Sequence, residues 1–264
     1  MSAELRIVGL QADLHWRNPD ANLAHFDTLL AAIPPGSCDA VVLPEMFTTG
    51  FSWPPLHPTK GPGSDIDWMQ AWADRLDAAL VGSVACLDSE DAPRNRCWFV
   101  PPASDGVPAH YDKRHLFTLA GEHDHFKAGE DRVELQFRGF RILLQVCYDL
   151  RFPVFVRNDR TRPYDLAIYV ANWPETRSAA WRTLLQARAI ENQCFVVGIN
   201  RSGTDDNGHH YAGDSLIADF AGFLMADAGG DGQPSPLEAT LNQEDMLAFR
   251  RKLPFLEDAD ARQN

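Results

Sequence analysis

Short apolar runs alternate with amphipathic stretches along this chain, a pattern that predicts strands alternating with helices. The first apolar run, 5–10, predicts a strand, and apolar residues at helical spacing after Asn18-Pro19 predict a helix that ends at Pro34-Pro35. Further strands are predicted at 41–43, 80–87, 97–100, 133–137, 142–146, 166–170, 195–199 and 237–241, helices at 66–79 and 177–191, a polar turn at 88–95, and a hairpin formed by 215–218 and 223–225.

No linker, internal repeat or low-complexity tract divides this pattern. Strands that alternate first with helices and then with hairpins are typical of a layered α/β sandwich with mixed strand directions. We therefore expect one domain over residues 1–264, ending in a short helix and a polar C-terminal tail.

The composition supports a sizeable core and limits the partners. Of the 264 residues, 45% are hydrophobic and 23% are charged, which excludes disordered and low-complexity classes. The 37 acidic residues outnumber the 24 basic ones and give a net charge of −13. This balance argues against a nucleic-acid partner and against binding to anionic membranes, although it permits a local cationic pocket.

The same sequence predicts a cytoplasmic protein. No apolar run approaches the roughly 20 residues of a membrane helix, and the first residues lack the basic and apolar regions of a signal peptide. The cysteines are odd in number and widely spaced, which favours reduced, packed thiols over a disulfide framework. They are Cys38, Cys86, Cys97, Cys147 and Cys194.

Three of the predicted strands end in polar groups that are suited to chemistry. Glu45 follows the strand at 41–43, Cys147 follows a second strand, and Asn172 follows a third. Because ligands of open α/β sheets bind beyond the carboxyl ends of strands, a glutamate and a cysteine at such ends form a plausible reactive pair. A lysine, Lys113, lies between them in the chain.

A cysteine, a glutamate and a lysine together can cleave a carbon–nitrogen bond without a metal or a cofactor. A free cysteine has a pKa of roughly 8.5, so Glu45 is needed to accept the Cys147 proton while Lys113 stabilises the anion. The thiolate attacks an amide or nitrile carbon, and Lys113 and the backbone N–H of Tyr148 can stabilise the oxyanion. Glu45 then protonates the leaving nitrogen and later activates the water that cleaves the thioester.

Other chemistries have weaker support. Gly213-Asp214-Ser215-Leu216 is similar to the signature of GDSL esterases, but the last histidine, His210, precedes the serine instead of following it. The close histidine pairs at 123 and 125 and at 209 and 210 lack an HExxH motif or a close cysteine pair, so no metal site is predicted. A cysteine–histidine hydrolase remains possible in principle, since the chain has nine histidines.

Three segments, in this order, resemble the nitrilase, or carbon–nitrogen hydrolase, superfamily: LPEMF around Glu45, DKRHLF around Lys113 and CYDLRFP around Cys147. The resemblance covers nearly the whole chain. It implies an α-β-β-α sandwich in which these residues form a Glu-Lys-Cys catalytic triad, with no cofactor. It also implies a role for Glu122, within GEHDHFKAG, in orienting Lys113 and assisting proton transfer.

The segment NWPETRSAAWRTLLQARAIENQ resembles the omega-amidase branch, whose members hydrolyse the terminal amide of short keto-acid amides such as 2-oxoglutaramate. The distal carboxylate of such a substrate needs a cation or several hydrogen-bond donors; Arg177 is the candidate cation, with Tyr148 and Trp173 as further substrate contacts. Alternatively, Arg177 is a structural surface arginine. Arg151 is expected to brace the turn after Cys147.

Three alternatives to the omega-amidase function remain open. The amide can be a different one, such as deaminated glutathione, the substrate can be a nitrile, or the chain can be a non-catalytic scaffold. The resemblance also implies a homodimer, because family members of this type pair across one face of the sandwich.

Overall fold

Two large β-sheets, a two-stranded sheet and the surrounding helices make up this computed structural model, which describes residues 3–55, 59–60 and 63–259. The helices are α1 (Pro19–Ala31), α2 (Ser64–Leu76), α3 (Pro153–Val156), α4 (Ser178–Asn192) and α5 (Gln243–Lys252). The strands are β1 (Glu4–Gln11), β2 (Ala40–Val42), β3 (Thr59–Lys60), β4 (Ala79–Leu87), β5 (Pro93–Val100), β6 (Ala109–Asp112), β7 (Glu134–Phe137), β8 (Phe140–Val146), β9 (Leu166–Ala171), β10 (Phe195–Asn200), β11 (Ser202–Thr204), β12 (His210–Ala212), β13 (Leu216–Ala218), β14 (Leu224–Asp227) and β15 (Ser235–Asn242).

Each sheet has parallel strands at its centre and antiparallel strands at its edges. The first runs in the order β15-β1-β2-β4-β5-β6, with β3 beside the far end of β4, and its strands β1, β2 and β4 are parallel. The second runs β14-β13-β10-β9-β8-β7, and its strands β8, β9 and β10 are parallel. The mixed strand directions that the sequence predicted are therefore confirmed.

The sheets pack face to face, and helices cover their outer faces. Along β1, Leu5 and Ile7 belong to the core between the sheets, whereas Val8 and Leu10 pack with α1 and α2. Gly9 of the first sheet lies against Ile199 of the second: a Cβ there would lie 2.3 Å from Cδ1 of Ile199, so a larger residue would displace that side chain. Helix α4 packs on the second sheet, which completes the predicted α-β-β-α order.

The first turn of α1 shows how closely the local pattern predicts an element. The Asn18 side chain caps the helix by accepting a hydrogen bond from the Ala21 N–H, and Pro19 occupies the first helical position, where its missing N–H costs nothing.

The described part of the chain contains no helix that is long and apolar enough to cross a membrane.

The structure departs from the predicted elements in several places, and two of the differences concern polar strands near the site. The helix predicted at 66–79 ends at Leu76, and α3, β3, β11 and β12 were not predicted. The turn predicted at 88–95 ends earlier, because β5 begins at Pro93 and carries Arg94, Asn95 and Arg96 into the sheet. The segment from 101 to 131 is polar, so the sequence did not predict β6, the edge strand that ends just before Lys113. The last residues of the predicted C-terminal tail, 260–264, lie outside the described residues.

Candidate active site

The structure brings Glu45, Lys113 and Glu122 into direct contact. Glu45 lies just beyond β2 and Lys113 just beyond β6, and both side chains are fully buried. The Lys113 Nζ lies 2.9 Å from Oε1 of Glu45 and 2.9 Å from Oε2 of Glu122. One ammonium group therefore bridges two buried carboxylates that come from distant parts of the chain.

Burial and the neighbouring charges shift the pKa values of Lys113 and Glu122. Burial disfavours a charged lysine, but the two neighbouring carboxylates outweigh it and raise the pKa of Lys113 above its usual range. Burial raises the pKa of Glu122, with Glu45 adding to that effect while Lys113 opposes it. The backbone N–H of Phe117 also donates to Oε2 of Glu122, at 2.6 Å. Glu122 thus holds the ammonium of Lys113 beside Glu45.

Cys147 lies at a sharp turn that begins where β8 ends. It starts a short 3₁₀ helix, Cys147–Arg151, and its φ of 47° is in the left-handed region, which costs a residue with a side chain roughly 1–3 kcal/mol. The buried Asp149 carboxylate secures the turn by accepting hydrogen bonds from the Val146 N–H at 3.0 Å and the Tyr111 hydroxyl at 2.8 Å. The hydrogen bond from Tyr111, in the strand that ends before Lys113, therefore helps to stabilise the strained backbone at Cys147.

The environment of Cys147 keeps its sulfur protonated at rest. Burial raises the pKa of the Cys147 thiol well above its usual range, and Glu45 raises it further, whereas Lys113 opposes this shift only in part. The expectation that Lys113 stabilises the anion accordingly holds in direction but is not enough to form a resting thiolate. A nucleophilic attack by this thiol would need a proton acceptor, and Glu45 is the adjacent carboxylate.

Two asparagines complete the surroundings of Glu45: Asn172, which the sequence placed at a strand end, and Asn95, which the sequence pattern did not single out. The backbone N–H of Asn172 donates to Oε2 of Glu45 at 2.8 Å, and its side-chain amide donates to the Glu45 carbonyl. The Asn172 carbonyl lies 3.9 Å from the Sγ of Cys147. The Asn95 amide contacts both glutamates. The sequence could have indicated Asn95 as a polar residue next to an apolar strand segment. That position does not reveal that its partners are Glu45 and Glu122.

Cys147 opens onto a cavity of about 610 Å³. The predicted substrate contacts Tyr148, Trp173 and Arg177 all line this cavity, as does Asn172. Glu45 and Lys113 lie behind the cysteine, in the protein interior. Tyr148 is in the first turn of the 3₁₀ helix, where backbone N–H groups have no partner within the helix and can bind an anion.

Two arginines line the cavity without a carboxylate partner. The Arg177 guanidinium lies 5.2 Å from the centre of the Phe117 ring, and that of Arg151 lies 4.8 Å from the centre of the Trp173 ring. No carboxylate of the described residues lies within 4.0 Å of either guanidinium. Arg151, expected to brace the turn after Cys147, instead stacks on the cavity wall.

The competing motifs have structural roles where the structure describes them. Ser215 is fully buried and its hydroxyl accepts a hydrogen bond from the backbone N–H of Asn200 at 3.0 Å, so it is not an esterase nucleophile. The His125 ring stacks on Trp53, and the Nδ1 of His210 bonds the hydroxyl of Thr204. Among the described residues no group of three or more histidine, cysteine, aspartate or glutamate side chains is arranged to hold a metal ion.

Comparison with known sequences identifies the family. The model of the carbon–nitrogen hydrolase family matches residues 5–251. The chain is 50% identical to the omega-amidase YafV of Yersinia enterocolitica over 256 residues, which cover 97% of each chain. It is 29% identical to the 2-oxoglutaramate amidase of Bacillus subtilis over 252 residues, covering 94% of this chain and 95% of that protein.

Solved structures agree with this. The CN-hydrolase superfamily protein XC1258 of Xanthomonas campestris, determined with an arsenic adduct in its active site, is 40% identical to this chain, with a TM-score of 0.93 over 98% of each chain. Nit3 of Saccharomyces cerevisiae shares the fold, with a TM-score of 0.83 at 22% identity over 96% of this chain and 95% of that one. The chain therefore belongs to the carbon–nitrogen hydrolase (nitrilase) family, within which it resembles the omega-amidase-like branch.

Proposed function

We propose that this protein is an omega-amidase that hydrolyses the terminal amide of a short 2-oxo acid amide, such as 2-oxoglutaramate, to the 2-oxo dicarboxylate and ammonia. The observation that carries the chemistry is the buried Glu45–Lys113–Glu122 cluster behind a cysteine that opens onto a cavity. Similarity to omega-amidases over nearly the whole chain supports the choice of reaction. A non-catalytic scaffold has no need of two buried carboxylates beside one ammonium, since burying charges costs several kcal/mol.

The first half of the proposed reaction forms a thioester. As the Cys147 sulfur attacks the amide carbon, its proton passes to Glu45, and the carbonyl oxygen becomes an oxyanion. The Tyr148 N–H and the Lys113 ammonium stabilise that oxyanion, with Glu122 retaining Lys113 in position. When the intermediate collapses, the carbon–nitrogen bond breaks, Glu45 returns the proton to the leaving nitrogen, and ammonia departs.

The second half regenerates the enzyme. Glu45, now ionised, accepts a proton from a water molecule that attacks the thioester carbon in the place left by ammonia. The same oxyanion donors act again, the carbon–sulfur bond breaks, and the sulfur recovers the proton from Glu45. The products are a carboxylic acid and the resting thiol, so the cycle consumes one amide and one water and needs no cofactor.

The distal end of the substrate is proposed to bind the cavity arginines. In a chain with a net charge of −13, two guanidinium groups that line the cavity and have no carboxylate partner among the described residues favour an anionic ligand. Stacking on Phe117 and Trp173 restrains the two guanidinium planes, which leaves their N–H groups free for a carboxylate. We propose that Arg177 binds the distal carboxylate and that Trp173 and Tyr148 contact the chain of the substrate.

Arg177→Lys is expected to raise KM for 2-oxoglutaramate about ten- to a hundredfold, because lysine retains the charge but loses the bidentate contact. KM for a neutral amide of similar length should change much less. Steady-state ammonia release from both amides measures the difference, with Arg160→Lys, an exposed arginine outside the cavity lining, as the matched control. Equal effects of Arg177→Lys on charged and neutral amides would make Arg177 structural.

A panel of substrates tests the proposed function itself. Ammonia release is measured for 2-oxoglutaramate, a neutral amide of equal length, deaminated glutathione and a short nitrile. We expect 2-oxoglutaramate to have the highest kcat/KM. A preference for deaminated glutathione or for the neutral amide would overturn the omega-amidase assignment but not the cysteine mechanism, whereas a preference for the nitrile would change the reaction class.

We also propose that the protein is a homodimer. Ile190 in α4 and the strand-edge residues Phe223, Leu224 and Met225 are exposed apolar side chains, and Phe223 is 72% exposed. Gly222 abuts Ile190, so these residues form one patch. Trp181 and Trp72 do not contribute to this patch, because both are buried in the core.

Light scattering is expected to give about 59 kDa, twice the chain mass of 29.5 kDa. Phe223→Glu should shift the particle toward the monomer, because a charge in the apolar patch would have to be buried on association. A wild-type particle of 29.5 kDa across a wide concentration range would refute the dimer.

A cytoplasmic location is proposed on the state of the cysteines. All five are free thiols, and all five are buried. Free cysteines without any disulfide are typical of proteins in reducing compartments.

A further inference from the structure

A chain of hydrogen bonds, all with uncharged donors, links the backbone beside Glu45 to both carboxylates of the active site. The Met46 N–H donates to the Ser83 hydroxyl oxygen at 2.9 Å, and the Ser83 hydroxyl donates to Oδ1 of Asn95 at 2.9 Å. The Nδ2 of Asn95 then donates to Oε1 of Glu45 at 2.8 Å and to Oε1 of Glu122 at 3.1 Å. Ser83 and Asn95 are almost completely buried.

The partners determine which way the Asn95 amide faces. The Ser83 oxygen already accepts from the Met46 N–H, so its own proton is directed at an acceptor, the carbonyl oxygen of the Asn95 side chain. The NH₂ group must then face the two carboxylates, which can only accept when they are ionised. The backbone holds Asn95 as well, because its carbonyl accepts the Lys113 N–H at 2.9 Å.

The charge of the cluster explains why such a donor matters. Two carboxylates with one ammonium leave one excess negative charge in a fully buried site, and that excess favours protonation of one carboxylate. A hydrogen bond to the charged form opposes this without adding another charge. Among the described residues, the titratable groups that interact with this cluster include Cys147 and Cys97, and Tyr211 lies beyond the thiol of Cys147.

We infer that Asn95 is a positioning residue that keeps Glu45 and Glu122 ionised, so that Glu45 is free to accept the Cys147 proton at the pH of the cell. Asn95 accordingly sets the acidic limit of the activity. The inference rests on the proposed mechanism, in which Glu45 is the proton acceptor, but it does not depend on which amide is the substrate.

The test is the pH dependence of kcat/KM for Asn95→Leu. Leucine has nearly the same size and removes both donors, so the apparent pKa of the carboxylate pair rises. The acidic limb of the profile should move upward by about one to two pH units, the loss expected for a hydrogen bond to a charged group. At alkaline pH the activity of the variant should approach that of the wild type.

The matched control is Asn22→Leu. Asn22 is equally buried, but its side chain bonds the backbone of His15 and Thr48. This variant should lose stability and keep the wild-type midpoint. If Asn95→Leu lowers kcat/KM by the same factor at every pH, with an unchanged midpoint, Asn95 has a merely structural role and the inference is wrong.

Two further measurements protect the test from trivial failure. If Asn95→Leu does not fold, Ser83→Ala is measured instead, because loss of the Ser83 hydroxyl frees the Asn95 amide to rotate. The acidic limb of the Ser83→Ala profile should shift in the same direction, by a smaller amount. Alkylation of Cys147 by iodoacetamide, followed against pH by mass spectrometry, should show the same upward shift without any substrate. A wild type that releases no ammonia from any amide would refute the proposed function, while the alkylation profile would still decide the role of Asn95.

Discussion

Cys147→Ala is expected to lower ammonia release from 2-oxoglutaramate by at least about 10⁴-fold, because no thioester can form without the sulfur. The fold should survive, since the change removes one atom at the wall of an existing cavity. Ammonia release at saturating substrate measures the loss, and circular dichroism and thermal unfolding verify the fold.

The matched control for this change is Cys38→Ala, a buried cysteine that packs between the first sheet and its helices. It should retain wild-type kcat and lose some stability. Wild-type turnover in Cys147→Ala would exclude Cys147 as the nucleophile and return the cysteine–histidine and metal alternatives to consideration.

Glu45→Gln is expected to lower kcat on the order of 10²–10⁴-fold. Glutamine has the shape of glutamate but cannot accept the Cys147 proton, and burial keeps that thiol protonated at neutral pH by raising its pKa. The residual activity should also lose the acidic limb of the pH profile, since that limb reports ionisation of the carboxylate pair.

Glu90→Gln, on the exposed side chain that pairs with Lys127, is the matched control and should behave as the wild type. A Glu45→Gln enzyme with normal kcat, or one whose acidic limb is unchanged, would remove Glu45 from the proton transfer. Lys113 remains paired with Glu122 in this variant, so a gross loss of the site is not expected.

Much of the order of elements was predictable, because many helices and apolar strands depend on nearby residues. Helix α1 illustrates this, since Asn18, Pro19 and the spaced apolar residues all lie within one segment. Polar strands were not predictable from such patterns. In β5, Arg96 is buried only because its guanidinium pairs with Asp112 at 2.6 Å, and Asp112 lies in β6, a strand that the sequence did not reveal.

The candidate site divides in the same way. Glu45, Lys113 and Cys147 were assigned together from motifs, and the resemblance implied Glu122 beside Lys113. The orientation of Glu45 depends on Asn95 and Asn172, which come from different sheets. Both lie far from Glu45 in the chain, so no local motif predicts these contacts. Arg151 shows the converse, because proximity to Cys147 in sequence suggested a brace, whereas the tertiary fold stacks it on Trp173.

Mass spectrometry of the enzyme acid-quenched during turnover of 2-oxoglutaramate tests the central claim most directly. Peptide mapping at successive times through the first turnover locates any acyl group on the chain. A 2-oxo acyl group on Cys147, present during turnover and gone when the substrate is exhausted, is the predicted result. An acyl group on any other residue, or complete turnover with Cys147 unmodified at every time, would contradict the mechanism.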